Sequence, residues 1–547
     1  MLDVCLIVEG TYPYVPGGVS AWVNDLIEAL SALRFGVVHV GPGGDVARKP
    51  FYPLHDNVQR FVEVFIHDEQ VQQERTAASP AGVRGLLGLA RRRRQHAFAR
   101  LERTYEELLR RPQAVVPAAL DEALEILAGQ GRYGLAIRDV LGSHESWDLI
   151  ARMAERHGPE ESFVDFFWTA RFTHLPLLRL LRAPVPRAAV YHSVTTGYAG
   201  FLAAWSARRR GAPLVLTEHG IYTRERQLEI QRATWIRGPR RERLRAERSL
   251  GLFKQWWAGL FELLGRYAYQ QATEIVTLFE GNRRLQIEGG APAERCLIIP
   301  NGVDLERFAG RRARGLPLER KAAPHVALVG RVVPIKDVKT FLRAARQIAD
   351  ALHAVQIEVV GPTDEDEAYF ADCLHEARLL GLQDVVRFRG TLDTAELLER
   401  LDCLVLTSIS EGQPLVLLEA MAAGVPVVAT DVGACRELIE GSTAADRALG
   451  PSGLVCPVAD AEAVARAVLR CLGDATLRAR MAAAGLERVR RYYRRERVHA
   501  LYEEIYRSYR DRYLGGERFV EPASGWGSFA RSLGPRGAAA MALLGGG

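Results

Sequence analysis

Short apolar runs alternate with longer stretches of helical spacing along most of this chain. A strand buried on both faces reads as a near-continuous apolar run, and its alternation with helices marks parallel α/β layers. In the first half, runs at 2–10, 36–41, 188–193, 213–220, 274–279 and 296–300 predict strands. In the second half, 325–330, 356–361, 385–390, 403–408, 425–430 and 453–457 do the same. Two doubly wound sheets result, with a seam near Arg311 to Pro324, a stretch rich in Arg, Gly and Pro. Between 65 and 185 the strand rhythm fails and Arg/Glu/Leu-rich helical patterns predict an insertion in the first lobe. A helical pattern at about 486–513, rich in Tyr and Arg, is expected to cross back to the first lobe. The last stretch, 516–547, reads as loosely ordered. The expected domains are therefore a first lobe over 1–315, a second over 316–485, a crossing helix over 486–515, and a tail.

Composition changes this picture little. The 547 residues are 48% hydrophobic and 25% charged, an ordinary globular balance with ample core. A net charge of +6 is modest for the length and gives no reason to expect nucleic acid. Two basic clusters, Arg91 to Arg94 and Arg237 to Arg248, read first as solvated helix faces, with anionic lipid, a nucleotide sugar or an acidic partner as the sharper alternative. The seven cysteines form no C-x-x-C pair and no metal spacing with His, so they read as buried thiols of a reducing compartment. The start, MLDVCLIVEG, has no basic segment ahead of its apolar run and reads as a strand, not a signal peptide. No apolar stretch approaches the ~18 residues of a membrane span. The expected location is the cytoplasm.

Chemistry concentrates between Ser408 and Pro426, SISEGQPLVLLEAMAAGVP. Glu411 lies in a Gly/Pro loop after a buried-looking strand, and Glu419 lies in an apolar helix beginning near Pro414 or Leu415. Proline suits a first helical turn because its missing N–H has no intrahelical partner there. The loop around Gly412, Pro414 and Leu415 would leave free N–H groups at a positive helix end, a ready phosphate site. One carboxylate on each side could accept hydrogen bonds from hydroxyls of a sugar and a ribose, which suits a sugar nucleotide.

This Glu-x7-Glu pattern resembles the donor site of GT-B glycosyltransferases of the GT4 type. LIIPNGVD (Leu297 to Asp304), HVALVGRVVPIKDVKTFLRA (His325 to Ala344), VPVVATDVGACRELIEG (Val425 to Gly441) and SGLVCPVADAEAVARAV (Ser452 to Val468) extend the resemblance in order and spacing. In the first lobe, EGTYPYVPGGVS with its Gly17-Gly18 pair, the long insert and TEHGIYTRER (Thr217 to Arg226) resemble the PelF group, glycosyltransferases of Pel exopolysaccharide systems. That group also reads SEGQP where many relatives have EGFG.

The resemblance implies a GT-B fold of two Rossmann-like lobes, an active site in the cleft between them, and retention of anomeric configuration. It implies that Arg331 and Lys336, otherwise a plain exposed pair, contact the donor diphosphate, and that His219 contacts the sugar. Gly17 and Gly18 would let backbone approach the donor. Asp364-Glu365-Asp366 superficially matches a D-x-D metal motif but reads as a solvated connector, so no metal and no cofactor are expected. The expected reaction moves a hexose or N-acetylhexosamine from a UDP-sugar to a growing glycan, with inner-membrane Pel components as partners. A UDP-sugar epimerase or phosphorylase, or a non-catalytic UDP-sugar-binding scaffold, are the alternatives.

Overall fold

The computed structural model describes residues 1–43, 49–67, 84–110, 118–233, 235–236, 251–308, 323–352 and 354–519, without the side chains of 84–89 and 118. The Arg237 to Arg248 cluster, most of the 311–324 seam and nearly all of the 516–547 tail lie outside these residues.

The described chain forms two compact units: Met1–Val276 with Leu285–Leu297 and the chain from Ile505, and Thr277–Arg284 with Ile298–Glu504. The first carries a seven-stranded sheet: β1 (Leu2–Glu9), β2 (Phe35–Gly41), β3 (Val58–Phe65), β4 (Ala188–Ser193), β5 (Leu214–Glu218), β6 (Glu274–Thr277) and β7 (Cys296–Ile298), in the order β3-β2-β1-β4-β5-β6-β7. The second carries β8 (His325–Val329), β9 (Gln356–Val360), β10 (Val386–Phe388), β11 (Cys403–Leu406), β12 (Val427–Thr430) and β13 (Gly453–Cys456), in the order β10-β9-β8-β11-β12-β13. Both orders reverse direction once, between β1 and β4 and between β8 and β11. This is the doubly wound Rossmann pattern, repeated. The α/β class with two parallel sheets is as the sequence predicts.

Burial explains why the second sheet is legible. Leu404, Leu406, Val427 and Ala429 join helices Leu415–Ala422 and Cys435–Glu440 on one face. Cys403, Val405 and Val428 join helices Val338–Ala351 and Ala461–Gly473 on the other. Alternate side chains thus enter different cores, and each fully buried Leu or Val contributes about 1.5–3 kcal/mol.

Two expectations need correction. Strand β3 was not predicted: it is the edge of its sheet, half exposed, and carries Gln59, Arg60 and Glu63, which break the apolar run. The pattern at 486–513 is not one helix but the end of Ala475–Tyr492 followed by Arg495–Leu514. The break exists because Val303 takes over the local backbone groups, donating its N–H to the Tyr493 carbonyl at 2.8 Å and accepting from Arg495 N–H at 3.1 Å. The last helix begins in the second unit and ends in the first, where Tyr506 and Tyr509 are buried.

Within 65–185 the described residues form helices Arg84–Arg110, Ala118–Leu127, Ile137–Gly142, His144–His157 and Phe163–Leu180, and no strand is described between Phe65 and Ala188. All seven cysteines are buried free thiols. No helix among the described residues is long and apolar enough to cross a membrane.

Candidate active site

In open α/β sheets, ligands bind outside the carboxyl ends of strands where the strand order reverses. In the second unit those ends are β8 and β11. The helix that follows each packs on a different face, Phe341 in one core and Leu417 in the other, which opens a crevice above the two strands. Arg331 and Lys336 follow β8, and Ser408 and Glu411 follow β11.

The segment after β8 is shaped into a tight turn. Pro334–Lys336 form one 3₁₀ turn, and Asp337 adopts a left-handed conformation (φ 45°) from which its carboxylate caps Thr340 N–H at 3.3 Å. Thr407, at the end of β11, donates its hydroxyl to the carbonyls of Lys336 (3.1 Å) and Asp337 (3.0 Å). Ile409 N–H bonds the Ile335 carbonyl at 2.9 Å. The turn is therefore fixed to the loop that carries Glu411.

Lys336 Nζ lies 2.5 Å from Glu411 Oε1, and the same oxygen accepts from Ser408 Oγ at 2.5 Å. Thr430 holds Ser408 in turn, donating to its carbonyl at 2.6 Å. Behind the loop, Ala434 N–H bonds the Gly412 carbonyl at 2.8 Å. Gly433 packs so closely there that a Cβ would stand 2.2 Å from the Glu411 carbonyl oxygen and 2.4 Å from that of Gly412.

Pro414 ends the loop as the residue preceding helix Leu415–Ala422, whose first turn carries no acidic residue and no side-chain cap. Leu415 and Val416 thus stand where free N–H groups are expected, while Pro414 carries none. Glu419 sits within this helix, half-buried. Burial raises its carboxyl to about 7, with Arg307 opposing the rise and Asp393 adding to it. Arg307 and Asp393 themselves pair at 3.0 Å.

The structure does not bring Arg331 to the Lys336–Glu411 pair. Arg331 is half exposed and bonds Glu365 at 2.7 Å. The acidic connector is accordingly more than a solvated loop: Glu365 holds Arg331, and Asp366 caps helix Glu367–Leu379 by accepting from Tyr369 N–H at 2.9 Å. Among the described residues, no group of three or more His, Cys, Asp or Glu is placed to hold a metal.

In the first unit, Gly17 and Gly18 open helix Gly18–Ala29, and a Cβ at either would meet no described atom within 4 Å. Internal packing therefore does not require glycine there. His219 follows β5, half-buried, edge-on to the Trp22 ring at 5.0 Å; burial lowers its imidazole to about 4. It is neutral at physiological pH. His192, at the adjacent strand end, bonds Tyr506 Oη at 2.5 Å and Thr217 Oγ1 at 2.9 Å, and burial, with His219 adding, lowers it to about 3.

Three polar residues here were missed by the sequence reading. Glu9 ends β1 and accepts from Ala199 N–H at 3.1 Å and Tyr222 Oη at 2.7 Å. Its carboxylate thus fills the positive end of helix Tyr198–Arg210, where a ligand anion would otherwise fit. Glu218 ends β5 and accepts from Thr196 (2.9 Å), Tyr269 (2.5 Å) and Gln286 (3.0 Å). Burial raises both carboxyls, their donors opposing it. Gln413, in the loop between Glu411 and helix Leu415–Ala422, is the third. The available signal was an acidic residue closing an otherwise apolar run, LDVCLIVE and LVLTE.

Two family models match the chain. Residues 2–294 match a domain of unknown function, DUF3492, and residues 323–474 match Glycosyl transferases group 1. A phosphatidyl-myo-inositol mannosyltransferase of Mycobacterium leprae is 28% identical over 297 residues, 53% of this chain and 66% of that protein. A D-inositol 3-phosphate glycosyltransferase of Streptomyces avermitilis is 29% identical over 305 residues, 54% of this chain and 59% of that protein. The chain thus spans less than two thirds of the length of these relatives. Among solved structures, HepE of Anabaena in complex with UDP aligns with a TM-score of 0.55 at 14% identity, over 92% of this chain and 99% of that one. Sucrose-phosphate synthase of Thermosynechococcus elongatus aligns with a TM-score of 0.53 at 17% identity, over 92% and 98%. These likenesses establish the two-sheet fold of GT-B glycosyltransferases.

Proposed function

Because the chain belongs to the DUF3492 family and carries a glycosyl transferases group 1 domain in its second unit, we propose that it is a retaining glycosyltransferase. Its donor is a UDP-sugar carrying a hexose or N-acetylhexosamine, and its acceptor a growing exopolysaccharide of the Pel type. The observation that carries the reading is the Lys336–Glu411–Ser408 cluster beside the free helix end at Leu415, at the strand reversal where α/β sheets bind nucleotides. HepE, of the same fold, is a UDP complex, which supports UDP as the nucleotide.

In this reading the diphosphate enters beside Lys336 and the amides around Leu415. Departure of UDP leaves charge on its phosphate, and preorganised cationic and N–H groups stabilise that charge at no reorganisation cost. Arg331 joins them by exchanging Glu365 for phosphate. Glu411, already held by Ser408, orients the sugar hydroxyls; Glu419 meets the ribose. His219 is neutral, so its imidazole can donate one hydrogen bond and accept another. Glu411 is engaged by a cation and a hydroxyl, so a covalent glycosyl intermediate on it is disfavoured; same-face attack assisted by the donor phosphate is the route we assign. Positive charge from the protein makes a metal unnecessary. The PelF resemblance adds peripheral association with inner-membrane Pel proteins as part of the same proposal.

The test is a panel of UDP-glucose, UDP-GlcNAc and UDP-GalNAc, followed by thermal shift and by release of UDP with and without glycan acceptor. Stabilisation scales with the logarithm of ligand over dissociation constant. Acceptor-dependent UDP release supports transfer; isomerised donor indicates an epimerase, and stabilisation without turnover indicates a scaffold.

A further inference from the structure

Gln413 occupies an unusual position for a loop residue. It stands between Gly412 and Pro414 at the tip of the donor loop, yet it is only 7% exposed. Its side chain uses both ends. The amide oxygen accepts the Asn301 backbone N–H at 2.6 Å, and the amide nitrogen donates to the Leu278 carbonyl at 3.3 Å. The Gln413 carbonyl also accepts from Asn301 Nδ2 at 3.3 Å. Three segments distant in sequence, at 278, 301 and 413, are thereby joined within the second unit.

The two residues before Gln413 are held from the opposite side. Gly412 accepts from Ala434, and Gly433 presses against the carbonyls of Glu411 and Gly412 with no room for a side chain. The loop that presents Glu411 is thus clamped between the 433–434 turn and Gln413. A short polar loop without such clamps samples many conformations, and fixing it before the donor arrives removes that cost from the reaction. The buried amide also makes the clamp directional, since an apolar replacement leaves the Asn301 N–H and the Leu278 carbonyl without these bonds.

We infer that Gln413 is a positioning residue of the transfer reaction: by bonding Asn301 and Leu278 it holds the loop that sets Glu411 against the donor sugar. This rests on the functional reading above. It assigns Gln413 no contact with the donor. Its effect is exerted through Glu411, so the two residues must be energetically coupled.

A double-mutant cycle tests this with the full chain, using hydrolysis and transfer from the UDP-sugar panel and competition by UDP. Gln413→Leu removes both side-chain bonds at similar volume and is expected to lower kcat about tenfold or more, as small misplacements of a reacting group do. Competition by UDP should change less than about threefold, because the nucleotide is held elsewhere. In a Glu411→Ala background the same change should cost less than about twofold, since the group it positions is gone. Gln413→Glu keeps an acceptor for Asn301 N–H but loses the donor to Leu278, and its kcat should fall between wild type and Gln413→Leu. Should Gln413→Leu fail to fold, Gln413→Glu carries the same cycle. Equal losses in the wild-type and Glu411→Ala backgrounds, or a loss of UDP binding as large as the loss of kcat, overturn the inference. A wild-type protein that turns over no UDP-sugar overturns the functional reading instead, and this inference with it.

Discussion

Lys336 and Glu411 form an ion pair at 2.5 Å with side chains 17% and 11% exposed, although 74 residues of chain separate them. A shielded pair of this kind is weak evidence for stability, because desolvation offsets much of the attraction. Its position at the strand reversal points to function instead. In the proposed reaction the donor must insert its diphosphate beside Lys336 and its sugar beside Glu411, replacing one ion pair by contacts to both ends of the ligand. The free protein keeps both charges satisfied until then.

Glu419 gives a pH signature. Its carboxyl titrates at about 7 in the folded protein, against an ordinary value of 4.5. The unfolded chain gives up this proton first, so the contribution of Glu419 to stability declines as pH rises from about 4.5 to about 7 and is level above that. Melting temperatures of wild type and Glu419→Gln, compared from pH 5 to 8, should shift in favour of the variant with rising pH. UDP affinity should show the reverse trend: wild type gains over Glu419→Gln through pH 7, as the carboxylate that accepts from ribose hydroxyls forms. Parallel pH profiles of the two proteins would contradict this.

Gly433 sits at φ 53° with the Glu411 carbonyl where a Cβ would go. Gly433→Ala pays about 1–2 kcal/mol for the left-handed conformation and must also displace the donor loop. Gly424→Ala is the control, being left-handed (φ 69°) with nothing within 4 Å of its Cβ. Both should lower the melting temperature; Gly433→Ala alone should lower turnover, by about tenfold or more. Equal turnover in the two variants would remove the loop from the account.

Turnover should survive EDTA. In the proposed reaction Lys336, Arg331 and the helix-end amides supply the positive charge, and Asp366 of the acidic connector is committed to a helix cap. Loss of activity on chelation, restored by manganese or magnesium, would reverse this assignment.

The proposed membrane partner can be probed on the insertion. Arg91 and Arg92 are exposed, whereas Arg93 bonds the Gly134 carbonyl at 2.9 Å and Arg94 pairs with Glu145 at 3.3 Å. Reversing Arg91 and Arg92 to Glu therefore leaves the Arg93 and Arg94 contacts in place. In cells with a complete Pel system, membrane co-fractionation should fall while UDP-sugar hydrolysis persists. Unchanged fractionation would place docking elsewhere.

The sequence revealed what local pattern can encode. The inner strands of the second sheet were readable because both faces are buried, and helix Leu415–Ala422 was readable from its apolar run and preceding Pro414. Strand β3 was not, because an exposed edge tolerates Arg60 and Glu63. Tyr493–Arg494 interrupts a strongly helical pattern only because Val303, far away in sequence, bonds the backbone there. The same limit hid the side-chain partners: nothing local tells that Gln413 reaches Asn301 and Leu278, that Arg331 turns to Glu365, or that His192 bonds Tyr506.

The donor site proposed for Lys336, Glu411 and Leu415 stands or falls on the division of labour between the two glutamates. Turnover of the active UDP-sugar and calorimetric affinity for UDP should be measured for wild type, Glu411→Ala and Glu419→Ala. Removing Glu411 should cost transfer about 100-fold or more, the scale of losing a positioned polar contact at the reacting sugar, with UDP binding retained. Removing Glu419 should weaken UDP itself. A donor site built as proposed gives these opposite balances; equal loss of UDP affinity in both variants, or full transfer by Glu411→Ala, would contradict it.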